Sequence, residues 1–132
     1  MAGTNGNFNI VTTDRVRAKL ARAIAETGTI PVITHIAFGD GGCDGNGDPI
    51  TPDPTANALN HEVFRLPVSS VVYPTPYRAD ISAEVTSAAY NDTPITEMGA
   101  IDEDGDFVGF QTFKAVTKQD IVALAFNWSC QF

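Results

Sequence analysis

Cations are scarce in this chain: eight Lys and Arg stand against sixteen Asp and Glu, for a net charge of −8 over 132 residues. They are also crowded, since Arg15, Arg17, Lys19 and Arg22 fall close together. Residues 1–22 sum to +3, with Asp14 their one acid, and residues 23–132 to −11. A body of that sign repels nucleic-acid phosphates and anionic lipid headgroups, so neither nucleic acid nor membrane is an expected partner. No run approaches the roughly 20 apolar residues of a membrane-spanning helix. The opening Met-Ala-Gly-Thr-Asn-Gly-Asn has neither the charge nor the apolar stretch of a secretory signal, and the chain is expected to be made and kept in the cytosol or to leave by another route.

Cysteine and histidine are also sparse. Cys43 and Cys130 are too few and too far apart in sequence for a zinc site; they read as free thiols, with a bond between them or between chains as the alternative. His35 lies inside an apolar strand pattern, where a packed or hydrogen-bonded role fits, and His61 precedes a strand and reads as solvated. No nucleophile elbow or Cys-His signature surrounds any of these residues. The glycine-rich turn at residues 39–42 lacks the Lys-Ser/Thr of a phosphate-binding loop, and nearby acids would repel phosphate. The chain is therefore read as no enzyme, with no cofactor and no catalytic residue.

What the chain does contain describes one ordinary domain: 43% hydrophobic and 18% charged residues over a length typical of a single core. Residues 1–11 are small and polar until Phe8, Ile10 and Val11, and read as a flexible N-terminal arm to a domain spanning residues 12–132. From Thr13 to residue 27 the period is helical: Val16, Leu20, Ala23, Ile24 and Thr27 recur at three- and four-residue steps. Thr12 or Thr13 suits the N-cap, Asp14 the first turn and Gly28 the end.

The remaining grammar is β. Residues 31–38 are rich in branched and aromatic side chains, and eight of the sixteen residues from 39 to 54 are Gly or Pro, which forbids helix or inner strand there. A short helical turn is expected around residues 55–59. Residues 63–73 read as one strand interrupted at Pro67. Ala79, Ile81, Ala83 and Val85 alternate with polar residues as a half-exposed strand. Residues 95–101 and 107–113 flank an Asp104-Gly105 hairpin signal. The last strand sets Val122, Leu124, Phe126, Trp128, Cys130 and Phe132 on one face. The fold class is α+β: one N-terminal helix packed on an antiparallel sheet of about five or six strands.

Two acidic turns invite a metal. Asp44-Gly-Asn46-Gly-Asp48 begins like a calcium loop, but Pro49 stands where that loop needs Gly and Thr55 where it needs Glu. The second turn, residues 102–106, is accounted for by the hairpin. No metal is assigned to either, and the turn carboxylates, Asp104 and Asp106 among them, are expected to be dispensable for folding.

Three segments in order then carry a family resemblance. Ile33-Thr-His-Ile-Ala-Phe-Gly-Asp-Gly-Gly42 resembles a strand ending in an Ala-x-Gly-Asp-Gly turn. Pro54-Thr55 through Leu59, Glu62-Val-Phe-Arg65 and Pro67-Val68 resemble a Pro-Thr, Leu, Glu-Val-Tyr-Arg-x-Pro pattern. Ile95-Thr-Glu-Met-Gly-Ala-Ile-Asp-Glu-Asp-Gly-Asp106 resembles an Ile-x-Glu-Val-Gly-Leu-Phe-Asp-x-Asp-Gly segment. These patterns belong to the phage tail-collar fibre protein family, the N-terminal attachment domain of contractile-tail phage fibres; the likeness spans roughly residues 12–132. Met98, Ala100 and Ile101 depart from the pattern, and Cys43 is an addition to the turn.

The resemblance implies a virion structural protein, made in the host cytoplasm, that attaches or forms a tail fibre, collar or baseplate-periphery component. It implies other tail, baseplate or collar proteins as partners and a homo-oligomer, a trimer first. The chain stops where a fibre would continue into its shaft, so it is expected to be the attachment module alone or a small peripheral decoration. Interface candidates are Phe8, Ile10, Val11, Glu62, Arg65, Glu97, Gly99, Trp128 and Phe132, with a simple Glu97–Arg65 ion pair as the alternative for those two. Trp128→Ala is expected to be among the most damaging changes unless its face belongs to a partner. The alternative function is a small ligand-binding module, a calcium-assisted carbohydrate binder using residues 39–53 with Tyr73, Tyr77 and Tyr90.

Overall fold

A computed structural model describes residues 9–27, 31–76, 78–85, 92–117 and 124–131, with backbone alone for residues 9–11, 27, 85 and 124–131. Phe8, Phe132, Tyr77 and Tyr90 lie outside the described residues, and so does Gly28, the expected helix end. The helix begins where local chemistry puts it. Thr13 is extended at φ −72° and ψ 153°, and its hydroxyl oxygen accepts the Val16 N–H as the N-cap of α1, Asp14–Arg22. Asp14 sits at the positive end of the helix dipole, with Lys19 and Arg22 at the negative end. A wider turn continues it over Ala23–Thr27.

Eight strands among the described residues form two antiparallel sheets: β1 (Asn9–Thr12), β2 (Ile33–Gly39), β3 (Glu62–Pro67), β4 (Ser70–Thr75), β5 (Arg78–Val85), β6 (Pro94–Asp102), β7 (Phe107–Thr117) and β8 (Leu124–Gln131). The larger sheet runs β1-β7-β6-β2-β3, and the smaller β4-β5-β8. The α+β class stands, and the expected single sheet is resolved into two. Residues 63–73 are two strands, not one: Pro67 ends β3, whose partner is β2, and β4 starts three residues later in the other sheet. A proline cannot donate to a ladder, so the chain changes sheets where it stands. Residues 55–59 hold turns and bends instead of the expected helical turn.

The buried core draws on both sheets. Ile36, Phe38 and Phe64 from the larger sheet meet Ile81 and Ala83 of β5, with Ile95, Met98, Phe107 and Phe110 completing the cluster. Phe38 and Phe64 are register partners whose rings stack at 5.0 Å. β6 is buried from Ile95 to Asp102, as befits a strand with neighbours on both sides. Residues 9–12, read from sequence as the end of the arm and the start of the domain, form β1 and pair with β7, Ile10 opposite Gln111 and Val11 opposite Phe110.

The helical period placed Ile24 on the inner face of the helix, but it is 83% exposed while Ala23 beside it is 2% exposed. The i→i+5 turn at Ala23–Thr27 breaks the 3.6-residue phase there.

Candidate functional site

β2 runs out at Gly39 opposite Glu97, and the chain continues beside β6 so that Gly42 faces Thr96. Glu97 is 0% exposed and has no cation partner among the described residues. Its carboxylate is satisfied by backbone: Oε2 accepts the Gly41 and His61 N–H groups, both at 2.9 Å, and Oε1 accepts the Asn60 N–H at 3.0 Å. Thr96 adds its hydroxyl oxygen, which accepts the Gly42 N–H at 2.8 Å. One acceptor-only side chain thus ties two loops, residues 39–42 and 60–61, onto the central strand. Charge-assisted bonds of this kind are each worth about 1.5–3 kcal/mol.

The outer surface of this cluster carries the charged residues. His61 Nδ1 contacts Asp40 Oδ1, and the hydrogen bond to that carboxylate raises the imidazole above its ordinary value. What the pair contributes is therefore complete below the ordinary histidine value and is lost as pH rises through the higher folded value. Arg65 donates to Glu62 through Nε at 2.8 Å and Nη2 at 2.9 Å. That pairing exists because the register shifts between Phe38 and Gly39: Val63 is the extra residue, and Glu62 lands on the same side as Arg65. The alternative Glu97–Arg65 ion pair is not formed.

A second cluster lies where α1 meets the β6–β7 hairpin. Asp102 Oδ1 accepts the N–H groups of Asp104 and Asp106 at 2.9 and 3.0 Å, and Gly105 takes φ +83°. Lys19 Nζ lies 2.7 Å from Asp102, 3.1 Å from Asp104 and 2.6 Å from Asp106. These three acids are the group among the described residues close enough to share a cation, and the Lys19 ammonium is at their focus. Burial alone would lower Lys19, but its hydrogen bonds to Asp102, Asp106 and Asp104 outweigh that and hold it above its ordinary value. Residues 44–48 make the same turn: Asp44 Oδ1 accepts the Asn46 and Asp48 N–H groups at 2.8 and 3.1 Å, with Gly47 at φ +81°.

The expectation that the turn carboxylates are dispensable needs correction for Asp102 and Asp106. Asp102 is buried with a side-chain exposure of 2%, whereas Asp104 is 54% exposed. Lys19→Met should cost about 2–3 kcal/mol by leaving the buried Asp102 carboxylate without its counter-charge, and Asp104→Asn less than about 0.5 kcal/mol; urea denaturation measures both. The hydrogen bond from Lys19 holds Asp106 below the ordinary carboxylate value of 3.8. Its contribution is therefore complete above that pH and lost as pH falls through the lower folded value, and Asp106→Asn should flatten this acid limb.

The other predicted residues are dispersed. Gly99 is two residues along β6 from Glu97, and a Cβ there would meet the Phe107 ring, with Cζ 2.8 Å away; this is the close approach its glycine allows. Ile10 and Val11 lie at the opposite edge of the larger sheet, and Trp128 faces Ile81 across the smaller one; the side chains of all three lie outside the description. The Cys43 thiol is free and donates to the Phe113 carbonyl at 3.2 Å, and burial raises it above its ordinary value, with Asp44 adding to the effect. His35 Nδ1 lies 2.9 Å from the Thr34 hydroxyl.

Lys19 and Thr96 were missed from the sequence. The repeated Asp-x-Asn/Asp-Gly-Asp pattern at residues 44–48 and 102–106 was the signal that both turns are built alike. Glu97 stands among Ile95, Met98, Ala100 and Ile101, apolar residues of both strand parities, and a strand of that kind is buried on both faces.

A comparison with curated proteins finds no match. The family model described as phage tail-collar fibre protein, N-terminal, matches residues 4–130, nearly the whole chain. The segments that Glu97 draws together, the Gly39–Gly42 turn, the approach to β3 and β6 itself, are those that carried the resemblance in the sequence. The chain therefore belongs to the phage tail-collar fibre protein family, and is a structural component of the phage tail that associates with other tail components.

Proposed function

We propose that this domain is an attachment module, fixing a fibre, collar or baseplate-periphery component to the tail without catalysing a reaction. The observation that favours this reading is the use of Glu97: its three hydrogen bonds come from backbone donors of two loops, so this buried carboxylate is spent on making a rigid surface. The exposed ion pairs Asp40–His61 and Glu62–Arg65 then stand on a fixed base, as recognition of a neighbouring protein requires. Glu97 and Gly99 serve such an interface by shaping it, Glu62 and Arg65 by direct contact. Synthesis takes place in the host cytoplasm.

Within this reading the domain is a homo-oligomer, a trimer in keeping with three-fold fibres. Residues 1–8 reach a neighbouring protein, and Phe8 is the anchor, because an aromatic side chain left in water forgoes about 25 cal/mol for each Å² of apolar area. Deleting residues 1–8 leaves β1 intact and should lower incorporation into particles while the melting temperature stays unchanged. Normal incorporation would remove the arm from assembly. A monomer at micromolar concentration by light scattering, for the intact chain, would defeat the oligomer.

A further inference from the structure

α1 is held at its ends and along one edge more than along its length. No residue of Asp14–Arg22 is buried; Thr13, Lys19 and Ala23 anchor it. Its outer side exposes Arg17, Ala18, Ala21 and Arg22, continuing to Ile24 at 83% exposure. Arg15 and Lys19 are engaged by the hairpin acids, but Arg17 and Arg22 make no ion pair with a described residue. Two guanidinium groups thus flank a small apolar patch, and arginine is among the residues enriched where proteins meet.

The complement is in the same chain. Residues 39–54 hold four Asp and no Lys or Arg. Asp44 and Asp53 are fixed by backbone donors, the first by Asn46 and Asp48 and the second by Thr55, which orients the carboxylates without cancelling their charge. Asp48 is 64% exposed and has Lys114 only at 3.7 Å. We propose that the outer face of α1 docks on the acidic loop, residues 39–54, of a second copy of this chain. The inference rests on the homo-oligomer reading and gives it a contact. A body of net charge −8 repels its own copies, and the Arg17–Arg22 face is where one can approach another with attraction instead. Because the two surfaces differ, the contact can repeat head-to-tail and close into a ring when its rotation allows.

Sedimentation velocity of the full chain over a concentration series tests this. Arg17→Glu with Arg22→Glu reverses one surface; Asp44→Asn, Asp48→Asn and Asp53→Asn together neutralise the other and keep each turn's acceptor oxygen. Each set should raise the concentration of half-association at least tenfold with an unchanged circular-dichroism spectrum, and about 0.5 M salt should do the same to the unaltered chain by screening. If the Glu pair fails to fold, Arg17→Gln with Arg22→Gln takes its place. Wild-type association in either variant set, or insensitivity to salt, would overturn the contact while leaving the oligomer. Weakening by the helix changes alone would move the partner surface elsewhere and also overturn it. An unaltered chain that stays monomeric would sink the oligomer reading and the contact with it.

Discussion

Glu97→Gln should destabilise the domain by about 3 kcal/mol, out of a total of roughly 5–15 kcal/mol for a domain of this kind. The amide has nearly the shape of the carboxylate but offers one acceptor oxygen where Glu97 has two. If that oxygen takes the place of Oε2, it still receives the Gly41 and His61 N–H groups. The NH₂ group then faces the Asn60 N–H, donor against donor, and the remaining bonds lose their ionic character. Glu97→Ala should cost more, about 4–5 kcal/mol, because three backbone donors lose their charged partner at once and a cavity opens where the buried side chain stood. Hydrogen exchange gives the local readout: the Gly41, Asn60 and His61 amides should lose protection before those of the β6–β7 ladder. A loss below about 0.5 kcal/mol for the Gln variant would mean that water or another group replaces the carboxylate, and the latch would be no latch.

A comparable loss, about 2–4 kcal/mol, is the expected outcome for Gly42→Ala, although the change adds one methyl group. A Cβ at Gly42 would run into the Thr96 carbonyl oxygen and lie 2.7 Å from its carbon. Those are backbone atoms of the central strand, held by β2 on one side and β7 on the other, so they cannot yield as a side chain can. The turn would have to move away, breaking the 2.8 Å bonds from the Gly42 N–H to Thr96 and from the Ile50 N–H to the Gly42 carbonyl. Gly45→Ala is the control: nothing lies within 4 Å of a Cβ there, and its effect should stay within about 0.5 kcal/mol. Equal melting temperatures for the two variants would show that the Gly42 turn is free to shift.

Local chemistry made part of this protein legible in its sequence. Thr13 and Asp14 start α1 because an N-cap acts on donors within its own first turn. The β6–β7 hairpin follows from Asp104-Gly105, since Gly105 takes the positive φ that few other residues adopt. The three segments that identified the family are likewise contiguous stretches of chain. The division into two sheets was not legible, because Pro67 marks where a ladder must stop but not which strand the chain pairs with next. Ile24 carries the helical period inward, yet whether anything covers it depends on a turn beyond the regular helix. The apolar run around Glu97 marks its strand as buried, but its donors come from Gly41, Asn60 and His61, 36 to 56 residues away along the chain. Lys19 reaches across 83 residues to Asp102. A buried charge is tolerable only where donors converge on it, and that convergence is a property of how distant segments pack, which the tertiary structure alone decides.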